Sequence, residues 1–183
     1  MNYVIEHGGH YSFPRNFPLT RFNRMTFEVL LSDSWRYRLL DNTQTDGLSP
    51  DQFDWNKLVG VTVTPLNPMG DTCMVAIRYE PKTDEIKICP YWHRNSFGIV
   101  REMDENLAVT IKPNQKFLCD FWYDGKELHY VTRDKETGNV MQNESKPFKK
   151  GYSWFNLCHI IQVYFGGNQV APQNIYTDVT RVL

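Results

Sequence analysis

Tyr164-Phe-Gly-Gly-Asn-Gln169 sets a phenol a few residues ahead of two side-chain amides, with His159 shortly before it. A polysaccharide lyase needs a Tyr or His base, and an amide or Arg to neutralise the carboxylate beside the proton it removes. Tyr164, Asn168 and Gln169 could fill those places, and Arg78 lies on a run that reads as strand. The competing reading has Tyr164 packing and the two amides hydrogen-bonding loop backbone. Glycoside hydrolysis needs two carboxylates flanking the scissile bond. The nearest match is Arg101-Glu-Met-Asp-Glu-Asn106, where the adjacent Asp104 and Glu105 would point to opposite faces of a strand and cannot pair. That segment reads as a solvated loop.

Metal chemistry has as little to build on. His7 and His10 sit in a Gly-rich stretch without the further ligands that zinc requires. Asp51, Asp54 and Asn56 lack the dense oxygen spacing of a calcium loop. No catalytic residue, metal or cofactor is expected. Sugar binding asks for aromatic faces beside polar groups. Trp35 with Tyr37, and the run Tyr91-Trp-His-Arg-Asn95, offer such platforms. The binding residues assigned from the sequence are Trp35, Tyr91, Trp92, Arg94, Asn168 and Gln169.

The elements that must hold these side chains are strands. Met25, Phe27, Val29 and Leu31 alternate with polar residues, as do Val59, Val61 and Val63, and Cys73, Val75, Ile77 and Tyr79 follow the same period of two. Ile86 to Trp92 is a further strand, in which Pro90 predicts a bulge or an edge. Asp124-Gly125 between two alternating runs predicts a hairpin with a type I′ turn. Ser49-Pro50 predicts one helical turn, capped by the serine, inside an otherwise irregular stretch from Asp41 to Asn56. Gly166-Gly167 permits positive φ and close backbone approach, and Pro172 removes a ladder donor, so the chain leaves the sheet before a last alternating run.

Residues 1–24 differ in character. His7 to Pro18 is rich in Gly, Pro and aromatics without alternation, which predicts an arm lying along the sandwich or reaching to a neighbour. His10, Tyr11, Phe13 and Phe17 are its interface residues, because aromatics at that density pack on something. Residues 25–183 are expected to form a single domain.

The chain has 183 residues, 41% of them hydrophobic and 14% aromatic, enough for a sizeable core. A net charge of −1 and one basic doublet, Lys149-Lys150, argue against nucleic acid as a partner. No apolar run is long enough to span a membrane, and the first residues show no export-signal pattern. Cys73, Cys89, Cys119 and Cys158 are widely spaced within strand-like runs and read as buried free thiols in a reducing compartment.

Gly8 to Ser12, Phe53-Asp-Trp-Asn-Lys-Leu-Val-Gly60, Ala76-Ile-Arg-Tyr79, Ile86-Lys-Ile-Cys-Pro-Tyr91 and Tyr164-Phe-Gly-Gly-Asn-Gln-Val-Ala-Pro-Gln173 occur in an order that resembles a group of phage and phage-like proteins. The group has a concanavalin A-like (lectin- and glucanase-type) jelly roll. The resemblance implies an all-β jelly-roll sandwich with an irregular N-terminal arm. It also implies a non-enzymatic virion component, either an auxiliary or decoration protein of the head or a small tail or fibre protein. It would be assembled in the host cytoplasm and would contact other virion proteins or further copies of itself. A lectin-like module touching a host glycan is the alternative, and a lyase or glycosidase the third.

Overall fold

The computed structural model describes residues 2–15, 19–21, 24–63, 70–94, 101–148 and 157–183. In chain order the strands are β1 (Asn2–Ile5), β2 (Ser12–Phe13), β3 (Leu19–Arg21), β4 (Arg24–Leu31), β5 (Asn56–Thr62), β6 (Thr72–Glu80) and β7 (Glu85–His93). They continue with β8 (Arg101–Met103), β9 (Val109–Ile111), β10 (Lys116–Tyr123), β11 (Glu127–Asp134), β12 (Val140–Pro147), β13 (Leu157–Ile161) and β14 (Ile175–Arg181). The first sheet runs β12-β11-β10-β4-β14-β1-β2, and the second runs β3-β13-β5-β6-β7-β8 with β9 also beside β7. Neighbours pair antiparallel throughout both sheets.

The period of two decides which side chains meet between the sheets. Phe27, Val29, Phe117, Cys119 and Phe121 come from the first sheet, and they form one buried cluster with Val61, Cys73, Val75, Ile77, Ile86 and Ile88 of the second. Phe121 anchors the centre, edge-on to Phe27 at 6.1 Å and to Tyr130 at 5.8 Å. Each aromatic of this size contributes both area and a preferred ring geometry. The result is an all-β sandwich of two antiparallel sheets, as expected from the sequence. All four cysteines are buried and free.

Two local expectations change in detail. The Asp124-Gly125 hairpin joins β10 to β11, but Asp124 N–H donates to Glu127 O, so Gly125 and Lys126 are the central residues. Gly125 has φ +101° and Lys126 has no positive φ, which is the type II′ pattern rather than I′. Pro90 sits in an unbroken β7, paired with Val75 of β6. On the other side of β7, β9 pairs with residues 86–88 and β8 with 91–93, so neither pairs with Cys89 or Pro90. The proline occupies the gap where one neighbour gives way to the next, and its missing donor costs no ladder bond there.

The predicted helical turn is a 3-10 turn, Pro50–Phe53, with Ser49 accepting from Asp51 N–H. Similar turns at Asp33–Trp35 and Glu105–Leu107 are capped by Ser32 and Asp104. The N-terminal arm lies along the sandwich. Gly8 and Ala171 exchange backbone bonds with the loop and the arm through Gly8 N–H to Ala171 O and Ala171 N–H to Gly9 O, both 2.9 Å. Phe165 N–H then donates to His10 O at 2.8 Å. Three short strands, β1, β2 and β3, punctuate this N-terminal stretch and add edges to both sheets.

Candidate functional site

An open groove of about 620 Å³ lies over the face of the second sheet that points away from the core. Lys57 of β5 and Tyr91 and His93 of β7 line it from the sheet, and Ile161 to Tyr164 line it from the end of β13 and beyond. The arm supplies Tyr11, Ser12 and Arg15, β8 supplies Arg101, and the double-glycine loop supplies Gly167 and Asn168.

Lys57 reaches this groove through a bulge. Val59, Val61 and Val63 all belong to the core, and a strictly alternating strand would send residue 57 the same way. The β5–β6 register shifts between Lys57 and Val59, with Val59 opposite Val75 and Lys57 opposite Ala76. Ala76 belongs to a separate small cluster with Trp55 and Cys89 on the outer face, and Leu58 joins the main core. The extra residue therefore re-aims Lys57 outward, a recognised use of bulges.

The loop after Tyr164 is built around buried polar anchors. Tyr164 and Lys57 exchange backbone bonds of 2.8 and 2.9 Å, which continues the ladder past the end of β13. Gly166 N–H donates to Asn56 Oδ1 at 2.6 Å, and Asn56 Nδ2 donates to Tyr37 Oη at 2.8 Å. A side chain at Gly166 would place its Cβ 2.9 Å from Trp55 O and 3.2 Å from Lys57 Nζ. Gly167 adopts φ +77°, the left-handed conformation expected of one of the two glycines.

Two aromatic rings flank the lysine, and a third packs against one of them. Lys57 Nζ is 5.1 Å from the Tyr164 ring centroid and 5.8 Å from that of Tyr91, in range for cation–π attraction. Tyr11 meets Tyr164 edge-on at 5.1 Å, and the Arg15 guanidinium lies 3.9 Å over the Tyr11 ring. Burial, and then the Arg101 charge, push the Lys57 ammonium below the usual lysine value. Burial raises the Tyr91 and Tyr164 hydroxyls above theirs.

Of the binding residues assigned from the sequence, the groove brings together Tyr91 and Asn168. Trp35 and Trp92 are corrections: both are fully buried in the core. Trp35 Nε1 donates to Thr177 at 2.8 Å, and Trp92 Nε1 donates to Glu144 at 2.8 Å, with Tyr130 and Phe148 packed on its ring. The alternation that puts Ile86 and Ile88 inside puts Trp92 there too. Arg94 is half-buried against Glu102 in an ion pair, away from the groove lining. Gln169 Nε2 donates to Ser49 Oγ at 2.8 Å and so holds the loop instead of a ligand.

Among the arm residues, His10 donates from Nδ1 to Phe165 O at 2.9 Å and stacks on Tyr164. Tyr11 lines the groove, Phe13 is 71% exposed, and Phe17 lies outside the described residues. Of the residues considered for chemistry, Tyr164 is in the groove, whereas His159 and Arg78 do not line it. Arg78 stacks 4.4 Å from the Trp55 ring and pairs with Glu80 at 2.7 Å and Glu105 at 3.2 Å. Among the described residues no three His, Cys, Asp or Glu side chains are grouped to hold a metal ion.

The sequence reading missed Arg15, Lys57, Arg101 and Gln162, which line the groove from four separate stretches of chain. Lys57 carried a signal: a cation in step with a run of core valines must either be buried or be turned out by an irregularity.

No protein-family model matches the chain, and no curated protein matches it. Among solved structures it is similar to the alginate lyase from Klebsiella pneumoniae, at 9% identity and a TM-score of 0.49 over 90% of this chain and 58% of that one. It is similar also to a functionally unknown protein from Saccharomyces cerevisiae, at 10% identity and a TM-score of 0.46 over 98% of this chain and 83% of that one. The chain thus spans less than two thirds of the lyase's length. Neither likeness assigns this chain an activity.

Proposed function

We propose that this chain is a non-enzymatic, lectin-like carbohydrate-binding module whose groove holds a glycan, used by a phage particle to contact its host's surface polysaccharide. The observation that carries the reading is the convergence of Tyr11, Tyr91 and Tyr164 with Gln162, His93 and Asn168 in one open groove. Sugar rings present apolar faces to aromatic rings and hydroxyls to amide and imidazole groups, and few other ligands need both at once. The phage setting is supported by the ordered motifs of the sequence.

Binding without cleavage fits the groove better than catalysis does. Hydrolysis needs a pair of carboxylates, and no Asp or Glu is among the described residues that line the groove. A lyase would use Tyr164 as base, but burial and the neighbouring Tyr11 raise its hydroxyl, which holds it protonated at neutral pH. A glycan array followed by titration of intrinsic fluorescence tests the proposal. Binding that is lost in Tyr91→Ala, with the thermal transition retained, is the expected result. An array without a binder at millimolar glycan would overturn it, and depolymerisation abolished by Tyr164→Phe would replace it with the lyase reading.

A second reading, a structural virion component without a glycan role, is favoured by the exposed aromatics of the arm. Phe13 is 71% exposed and Tyr11 51%, and such residues suit a neighbouring virion protein or a further copy of the chain. Mass spectrometry of purified particles tests it. A stoichiometric copy number is expected, and its absence would remove the virion assignment.

A further inference from the structure

The charge of the groove is one-sided in a chain that is otherwise balanced. The sequence has 20 Lys and Arg against 21 Asp and Glu. Elsewhere several basic side chains find acids: Arg24 and Arg133 meet Asp120, Lys116 and Lys135 meet Glu28, and Arg78 meets Glu80 and Glu105. Arg15, Lys57 and Arg101 line the groove from the arm, β5 and β8, and none of them has an ion-pair partner among the described residues. Aromatic rings replace the acids, at Lys57 from Tyr91 and Tyr164 and at Arg15 from Tyr11.

A half-desolvated ammonium beside a second cation is costly unless something supplies the opposite charge. Lys57 is in that position, with Arg101 as the second cation and the nearby Asp54 carboxylate offsetting it only in part. A bulge turns it onto this face instead of into the core.

We propose that the glycan held by this groove is a polyuronate, with a sugar carboxylate seated on Lys57 Nζ between the Tyr91 and Tyr164 rings and further carboxylates along the same chain meeting Arg15 and Arg101. This rests on the glycan-binding reading and names its ligand class. A carboxylate is the more basic of the common glycan anions, so it makes a stronger charge-assisted bond to a desolvated ammonium than a sulfate ester does. Its pyranose ring also brings an apolar face to the tyrosines beside the charge. Among the described residues no acid lines the groove, which limits repulsion at the binding surface, and the cations steer a polyanion toward it.

The test is calorimetric titration with hexagalacturonate, with the same oligomer reduced at its carboxyl groups, and with dextran sulfate. Wild type is compared with Lys57→Met, Arg101→Gln and, as a remote control, Lys112→Met. Hexagalacturonate is expected to bind at least about tenfold tighter than its reduced form, with affinity falling as salt rises from about 50 to about 500 mM. Lys57→Met is expected to lose that preference, its affinity for hexagalacturonate falling to that for the reduced oligomer, Arg101→Gln to lose part of it, and Lys112→Met to keep it. Equal affinity for the two oligomers overturns the polyuronate assignment and leaves the glycan reading standing. A preference for dextran sulfate, or a folded Lys57→Met that keeps the preference, also overturns it. Binding to none of these glycans, with an array equally blank, overturns the glycan reading itself.

Discussion

Replacing Asn56 with alanine tests whether the double-glycine loop is held by its buried polar anchors. Asn56 is almost fully buried where β5 begins, accepts Gly166 N–H at 2.6 Å and donates to Tyr37 Oη at 2.8 Å. In Asn56→Ala the buried Gly166 N–H loses its acceptor, worth about 1–3 kcal/mol on its own. Tyr37, also buried, loses a hydrogen bond and its neighbour leaves a small void, so about 2–4 kcal/mol of total destabilisation is expected. For a domain of this length that lowers the thermal midpoint by roughly 5–15 °C. Tyr37→Phe removes the hydroxyl and leaves the Gly166 bond intact, so it should cost about 1 kcal/mol. Urea unfolding of both single variants and the double variant measures the coupling, expected near 0.5–1.5 kcal/mol because the groups touch. An Asn56→Ala protein within about 0.5 kcal/mol of wild type would show that the loop holds itself and that the reasoning is wrong.

Gly167→Ala should destabilise more than Gly125→Ala. Both have positive φ, but a Cβ at Gly167 would lie 2.4 Å from Asp54 Oδ2, whereas Gly125 faces open space. The backbone cost is about 1–2 kcal/mol at either site, so chemical unfolding that ranks the two variants the other way would refute the contact. Gln169→Ala should cost about 1 kcal/mol by freeing Ser49 and should leave glycan affinity unchanged, since Gln169 does not line the groove. Asp124 is held below its ordinary value by the Glu127 N–H, then by His129 and the Lys126 N–H. Its folded value lies under its unfolded one, so its stabilising effect is complete above the unfolded value, near 3.8, and drains away as pH falls toward the folded value. Asp124→Asn should therefore flatten the acid limb of the stability curve, read as the difference between urea midpoints at about pH 6 and about pH 3. An unchanged difference would count against the turn assignment.

The fold was legible because its signals are local and repeated. Met25 to Leu31 and Cys73 to Tyr79 show the period of two in their own residues, and Asp124-Gly125 marks a reversal within four positions. The same signal also settles Trp92, which shares its alternation with Ile86 and Ile88 and so belongs inside. Trp35 follows no alternating run, and only the bond from its indole to Thr177 shows where it points. The groove was harder to read for a geometric reason. Arg15, Lys57, Arg101 and Tyr164 are dispersed along the chain, and sheet order rather than spacing brings them together. Tyr91 and Asn168 could be found because an aromatic at a strand end and an amide in a Gly-rich loop are conspicuous locally. Of the cations, Lys57 alone left a local mark, by falling in step with the core valines.

The bulge in β5 makes the polarity of the groove depend on strand register as well as on residue identity. Pairing β5 at its present length without the bulge would put Lys57 in step with Val59, Val61 and Val63 and swing the ammonium from the outer face toward the core. Deleting Leu58 would instead remove the extra residue together with a core side chain and set Lys57 directly before Val59, so the ammonium would stay on the outer face. The charge at the centre of the groove is thus a property of how two strands pair, and it can be withdrawn without any change at Lys57 itself.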